Sequence, residues 1–444
     1  MAKVTPGVGL AILAGQGNHL EGPSHFSKAF TDPARRVSMS DAEQNPGGQS
    51  PAAPTKGRRR GTAPRAHVVG KVLLSSLIVL GMLTGLSVVF IYRHLNDNLT
   101  VLDVSGQLQN RPDKRQLSDV PQEPLNILVM GSDTREGAGN DIDGLTGDGA
   151  RSDTTILMHL SADRERAYGV SIPRDSLVTR PDCETKDGET IPGGENEQWN
   201  TAFAVGGPAC TIQQFEQLTG VFVDHFVVVD FSGFRDMVDA IDGVEVCIPE
   251  DIVDPEHGID ISAGTREIRG KEALNYVRAR YTLGDGSDIG RIARQQAFIA
   301  AMANKVVSGG TLARFDRLVG FLNAATQSLI VDPGLENVFK IGKAGLGFKN
   351  IGLDNIKFIT VPFEYDTREG FEGRVVWLPE ADGVWQKVVD DEPLSRRLSS
   401  GAINAGELPG SGTPSGDASP SDGASSDGAG EDVTAAREAV GLCA

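Results

Sequence analysis

The sequence predicts an α/β domain carried on a single membrane-spanning helix. The evidence is an uncharged run of 21 residues, a series of short apolar runs bounded by turn residues, and later segments of helical periodicity.

The uncharged run is Val72–Tyr92, VLLSSLIVLGMLTGLSVVFIY. At about 1.5 Å per residue it covers about 30 Å, the thickness of a bilayer's hydrocarbon core. A buried core helix is the weaker reading, because the flanking segments offer nothing to bury it against. A cleaved signal peptide fits poorly too: 71 residues precede the run, and no small-x-small cleavage site follows it. Arg58, Arg59, Arg60, Arg65 and Lys71 lie just before it, whereas residues 93–124 hold four bases against five acids. That asymmetry puts the N-terminus in the cytoplasm and the chain after Tyr92 outside the cell.

Residues 1–71 and 398–444 are rich in Gly, Ser, Pro and Ala and cannot bury enough apolar surface to offset chain entropy. We expect a disordered cytoplasmic tail over 1–71, the span over 72–92, an extracellular stalk over 93–123, the folded domain over 124–391 and a disordered acidic tail over 398–444. The formal charge of the 444 residues is −18, yet residues 1–71 alone carry +6, which leaves −24 for the rest. A domain that acidic is a poor general partner for nucleic acid, so any arginine cluster within it needs a specific reason.

The four cysteines, Cys183, Cys210, Cys247 and Cys443, form no C-x-x-C pair and sit near no metal-spaced histidines, which argues against zinc. Outside the cell disulfides persist. Cys183 and Cys210 flank one loop-rich segment and are the preferred pair, with Cys210–Cys247 as the alternative. His159, His225 and His257 share no ligand spacing and read as structural.

Leu125–Met130, ended by Gly131, reads as a buried strand; Thr154–Leu160 is a second and Ala167–Ile172, stopped by Pro173, a third. The glycine-rich loop between the first two cannot form a crossover helix, so they pair as an antiparallel hairpin. Asp133 and Asp153 then meet at one sheet edge, an arrangement suited to a hard cation such as magnesium. The alternative is a pair of solvated turn residues. Arg174 and Asp175 follow the third strand. In GKEALNYVRARY a helix ends near Tyr276, leaving Arg278 and Arg280 two apart on extended chain. Asp288 then caps a helix on which Arg291, Arg294 and Gln295 share one face. Like charges about 5 Å apart repel by roughly 3 kcal/mol at an effective dielectric near 20, so a fold that gathers these arginines needs acids or a bound anion. Scattered surface ion pairs are the bland alternative.

Seven segments in order, NILVMGSDTR (126–135), RSDTTILMHL (151–160), SIPRDS (171–176), GGPAC (206–210), VDHFVVVDFSGF (223–234), GKEALNYVRARY (270–281) and SDIGRIARQQ (287–296), resemble the LytR–CpsA–Psr family of bacterial cell-wall ligases. The resemblance implies a central mixed sheet flanked by helices. It implies Mg2+-assisted transfer of a glycopolymer, such as a teichoic acid or capsule, from a polyprenyl-pyrophosphate carrier to peptidoglycan through a phosphodiester. By the same resemblance Asp133 and Asp153 hold the metal, and Arg151, Arg174, Arg278, Arg280, Arg291 and Gln295 surround the pyrophosphate. Catalysis by positioning and charge is consistent with the lack of any G-x-S-x-G or H-E-x-x-H. The partners implied are the lipid-linked donor, the peptidoglycan acceptor and membrane lipid, without nucleic acid. Apolar residues of helices 293–307 (Ile299, Met302, Val306) and 311–329 (Leu312, Phe315, Leu318, Val319, Leu322) are candidates for a lipid slot, although their period is equally that of core packing. Two other readings stay open: a pyrophosphatase using water as acceptor, and a non-catalytic envelope regulator.

Overall fold

A computed structural model describes residues 66–117, 122–132, 152–255, 258–279, 288–308, 311, 314–407 and 442–443. Eight α-helices occur among them: α1 Ala66–Asn98, α2 Thr201–Thr219, α3 Phe231–Ala240, α4 Gly270–Arg278, α5 Asp288–Ser308, α6 Phe315–Ser328, α7 Val338–Ile351 and α8 Glu380–Val389. The central sheet holds β1 Thr100–Val101, β2 Leu125–Ser132, β3 Ser152–Leu160, β4 Ala167–Ile172, β5 His225–Asp230, β6 Leu329–Val331, β7 Ile356–Thr360 and β8 Ile403–Asn404. Their spatial order is β1-β6-β5-β2-β3-β4-β7-β8.

The sheet is mixed, as expected. β2 pairs antiparallel with β3, and β3 antiparallel with β4, while β5 lies parallel to β2 and β7 parallel to β4. Register and side-chain alternation sort the core into two layers. Leu128, Leu157, Val170 and Ile359 stand opposite one another on one face and pack with Phe215 of α2 and Trp385 of α8. On the other face Met158, Gly169 and Phe358 form a row that packs with Ala300 of α5 and Ile351 of α7. With both faces covered, every residue of β4 is buried. A smaller core, including Val246, Ile268, Tyr276 and Phe298, joins the hairpin of Val244–Ile248 and Gly264–Ile268 to α3, α4 and α5.

Several boundaries differ from the sequence expectation. β2 runs past Gly131 to Ser132, and β3 starts at Ser152 rather than Thr154, because cross-strand hydrogen bonding continues to the hairpin end. α4 ends at Arg278, two residues beyond the expected stop, and the chain turns extended only at Ala279. α5 begins at Asp288 itself, and α6 begins at Phe315 rather than 311. α1 is longer than the 72–92 run, and the described stretch Val68–Asn98 is long and apolar enough to cross a membrane.

The expected stalk, 93–123, instead lies against the domain where it is described. Leu95 and Val104 are buried, and β1 covers the main-chain edge of β6. Arg111 donates to both carboxylate oxygens of Glu216 (2.8 and 2.5 Å) and to the Val223 carbonyl, with its guanidinium over the Phe222 ring. At the other end the chain stays in the fold beyond 391 and 398: β8 pairs with β7, closing the opposite sheet edge.

Cys183 and Cys210 are joined, as expected. Gly207, at φ 61°, kinks α2 ahead of Pro208 and Cys210. Cys247 pairs with Cys443 rather than with Cys210. His159 is buried between Asn126 Oδ1 (2.8 Å) and Asp391 Oδ1 (3.1 Å), and His225 Nδ1 lies 3.0 Å from Asp332, so both act as structural links. His257 lies outside the described residues. Among the lipid-slot candidates, Ile299, Met302 and Val306 pack into the cores, and Phe315 is exposed; Leu312 lies outside the described residues.

Two predictions follow from this packing. A Cβ on Gly233 would stand 1.6 Å from Ser328 Cβ, so α3 and α6 approach each other through a glycine. Gly233→Ala should lower stability by about 1–3 kcal/mol in urea titrations, with partial recovery on adding Ser328→Gly. Burial pushes the Tyr276 hydroxyl up to about 12, against an opposing pull from Arg294. The folded state therefore holds this proton more tightly than the unfolded chain. Stability little affected below about pH 10 should fall by about 2 kcal/mol as pH rises toward 12. Tyr276→Phe should lose less stability than the parent between pH 9 and 11.5, a difference that unfolding at the two values would measure.

Candidate active site

The sheet edge formed by the ends of β2, β4 and β5 and the start of β3 carries Asp153 and Arg174 of the expected charged residues. In the β2–β3 hairpin Ser132 stands opposite Ser152, and on the other flank Ser132 stands opposite Asp230 of β5. Asp133, Arg151 and Arg280 lie outside the described residues. The hairpin register nevertheless fixes their chain neighbours: Ser132 and Ser152, the residues bordering Asp133 and Asp153, share one end of the sheet.

Asp153 opens toward this edge. Its Oδ1 accepts a hydrogen bond from Arg174 Nη1 at 2.9 Å, and both side chains are largely but not completely buried. Arg174 Nε in turn donates to Asp175 Oδ2 at 3.1 Å. Asp175 Oδ1 accepts from Arg374 Nη1 at 2.6 Å and from Gln198 Nε2 at 3.3 Å. Asp153, Arg174, Asp175 and Arg374 thus form a row of alternating charge. Each guanidinium is held by a carboxylate and each charge is partly screened, which is how a protein keeps two arginines together without large repulsion.

The turn carrying Arg174 and Asp175 is fixed from several sides. Pro173 ends β4, the Ser176 amide bonds back to the Pro173 carbonyl at 3.1 Å, and the Val375 amide bonds to the Asp175 carbonyl. The chain's three tryptophans stand behind it. Trp377 Nε1 donates to Ser176 Oγ at 3.1 Å, and Trp199 Nε1 donates to Thr155 Oγ1 at 3.0 Å. Trp385 backs Trp377, with ring centroids 5.8 Å apart. An aromatic layer therefore sets the height of Arg174 relative to β3.

α5 supplies the next wall. Thr154 Oγ1 donates to Gln295 Oε1 (3.1 Å), while Gln295 Nε2 donates to the Val277 carbonyl at 3.2 Å. One amide therefore ties the start of β3 to α4. Gln296, one residue on, faces inward and bonds Ser171, Ile359 and Thr360. Arg291 and Arg294 are both buried, and Arg294 donates to the Ala279 carbonyl. Arg278 ends α4 with its guanidinium 5.0 Å from the centroid of Phe231, the first residue of α3. Asp230 caps that helix through the Gly233 amide at 2.6 Å.

The structure thus brings Asp153, Arg174 and Gln295 to one edge, with Arg278 and Arg291 on the helices that border it. Sequence reasoning left out the Asp175–Arg374 pair. Asp175 is visible in SIPRDS beside Arg174. Arg374 lies about 200 residues away in a segment with no distinctive spacing, so only the fold reveals it.

The carboxylate of Asp153 is a hard oxygen donor beside Arg174, a type of ligand whose chemistry fits magnesium. Among the described residues no three acidic, histidine or cysteine side chains cluster as a metal cage. That is compatible with an ion that takes few protein ligands.

The model of the LytR_cpsA_psr family matches residues 91–388. The probable cell wall biosynthesis protein LcpB of Corynebacterium glutamicum is 35% identical over 230 residues, covering 50% of this chain and 52% of that protein. The polyisoprenyl-teichoic acid–peptidoglycan teichoic acid transferase TagU of Enterococcus faecalis is 27% identical over 277 residues, 62% of this chain and 81% of that one. The chain thus spans about half the length of its Corynebacterium relative. The crystal structure of protein gbs0355 from Streptococcus agalactiae shares the fold, with a TM-score of 0.50 and 24% identity over 63% of this chain and 92% of that one. With most of the chain matched and the charged edge assembled from the same segments, the protein is a member of the LytR–CpsA–Psr family.

Proposed function

We propose that this protein transfers a cell-wall glycopolymer from a polyprenyl-pyrophosphate carrier to peptidoglycan, working outside the cell on a single membrane anchor. The observation that carries the reading is the row Asp153–Arg174–Asp175–Arg374 at the sheet edge, with Gln295 locking the adjoining helix against β3. Partly exposed cations held in fixed orientation suit an anionic substrate with paired phosphates. The apolar helix α1 and the basic cluster before it support the anchor and its direction.

In this reading a hydroxyl of the acceptor attacks the phosphorus nearest the polymer. A new P–O bond forms as the bridging P–O bond breaks, and the bridging electron pair leaves with the lipid phosphate. The hydroxyl proton passes to a carboxylate at the edge, Asp153 or Asp133. Arg174, oriented through Nε by Asp175, stands beside the non-bridging oxygens, where negative charge gathers during transfer. Arg278 at the end of α4 adds a second planar donor, and Arg151, Arg280, Arg291 and Gln295 complete the set. Asp133 and Asp153 would hold Mg2+, which supplies further neutralisation of the pyrophosphate when bound.

Arg278→Lys keeps the charge but loses the two-pronged donor, so its rate should fall about a hundredfold, or on the order of 3 kcal/mol. Arg397→Lys, an exposed ion pair with Glu380 outside the site, should match wild type. The assay is a lipid-pyrophosphate oligosaccharide with peptidoglycan, scoring polymer on the wall and lipid phosphate released. Wild type that releases free sugar phosphate and never labels the wall would replace the transferase with a pyrophosphatase. Asp153→Asn removes a charged oxygen with little change of volume and should abolish magnesium-dependent turnover. Near wild-type turnover of that variant at low magnesium would remove Asp153 from the metal set.

A further inference from the structure

Outside α1, few large apolar side chains among the described residues stand exposed, and α7 carries two of them. Phe339 is 73% exposed and Leu346 57%. They lie seven residues apart, two helical turns, and so share one side of α7. The opposite side packs under the sheet: Phe348 and Ile351 join the cluster of Leu160 and Ile356, and Gly347 lies against Leu160. Leu160 is the last residue of β3, whereas the candidate site stands at the strand's first residues. α7 therefore crosses the end of the sheet opposite the site.

Three features say what covers this outward side. The sequence of α7, VFKIGKAGLGFKNI, holds lysines at 340, 343 and 349 and no acid. Lys343 is exposed between Phe339 and Leu346. The third is its position relative to α1. The Val338 amide, opening α7, donates to Asn96 Oδ1 at 2.9 Å. Asn96 is four residues beyond Tyr92, the end of the uncharged run, and four residues of helix rise about 6 Å. The polar layer on each side of a bilayer's core is about 5–7 Å deep, and any tilt of α1 lowers Asn96 further into it. The first turn of α7 thus stands at headgroup height.

We propose that α7 is an interfacial helix: Phe339 and Leu346 enter the boundary between headgroups and acyl chains, and Lys340 and Lys343 meet anionic lipid phosphates. Lys340 also pairs with Glu336 at 2.9 Å, and the phosphate contact adds to that bond or exchanges with it. The partner is the lipid surface itself, and the inference rests on the reading of α1 as a membrane span.

The test uses the full chain in vesicles of phosphatidylglycerol and phosphatidylcholine, some carrying a quencher on the acyl chain. All four native cysteines are in disulfides, so a single introduced thiol takes the fluorophore. Labels go on Phe339→Cys, Leu346→Cys, Leu83→Cys within α1, and Glu364→Cys on the hairpin past the site end of β7. The expected result is strong acyl quenching at 83, about twofold at 339 and 346, and none at 364. Adding Lys340→Glu and Lys343→Glu should then reduce the quenching at 339 and 346 and leave 83 unchanged. Quenching at 83 with 339 and 346 behaving like 364 overturns the proposal and leaves the anchor standing. No quenching at 83 removes the anchor and this inference with it. Labels at 339 and 346 shielded from an aqueous quencher but beyond reach of the acyl quencher would mean that protein, such as a second copy of the chain, covers α7, which also overturns it.

Discussion

The antiparallel pairing of β2 with β3 is the constraint on which the rest of the molecule depends. A hairpin returns the chain to the edge it left, so Ser132, the last residue of β2, and Ser152, the first of β3, stand opposite one another. Because β5 joins β2 in parallel and β4 joins β3 antiparallel, the ends of four segments share that edge. A one-residue slip in β3 would exchange Leu157 with Met158 across the sheet and turn Asp153 to the other face. The two-sided core forbids that slip. The same packing that stabilises the domain therefore fixes the register of its charged groups.

Charge is managed locally. A protein with a large acidic excess would ordinarily pair its arginines at random on the surface, where each pair adds little. Here Arg174 and Arg374 are both held by Asp175, and Arg174 reaches on to Asp153. The acids orient the cations as much as they neutralise them. A planar guanidinium bonded through Nε keeps its far edge directed along one line, whereas an ammonium group would rotate.

Much of this was legible in the sequence, for physical reasons. The strands β2, β3 and β4 are short, largely apolar runs, with Gly131 near the end of the first and Pro173 after the last, so their existence and the hairpin between the first two follow from local pattern. Cys183 and Cys210 bracket one compact segment. Arg174 follows a strand and Arg291 lies on a helix with clear periodicity, so their placement is also local. What was hidden depends on distant pairing. The chain at 93–117 has little apolar pattern, yet β1 and Arg111 use a sheet edge and a carboxylate supplied by residues over 100 positions away. Arg374 carries no motif, and β8 is only two residues long in a polar stretch. α4 runs two residues past its expected stop to Arg278, whose guanidinium lies over Phe231, a contact that helix propensity does not register. The partner of Cys247 was out of reach for the same reason: 196 residues separate it from Cys443.

That second disulfide changes the covalent topology of the chain. From Cys247 to Cys443 the backbone is a closed ring, with β7, β8 and every helix from α4 onward inside it. A single backbone cut anywhere in the ring leaves one covalent molecule, still attached to α1. A protease working on the cell surface would have to cut twice, or meet a reductant, before any part of this region could drift away. The C-terminal region is in that sense circular, and a chain truncated before residue 443 would both open the circle and leave Cys247 as an unpaired thiol.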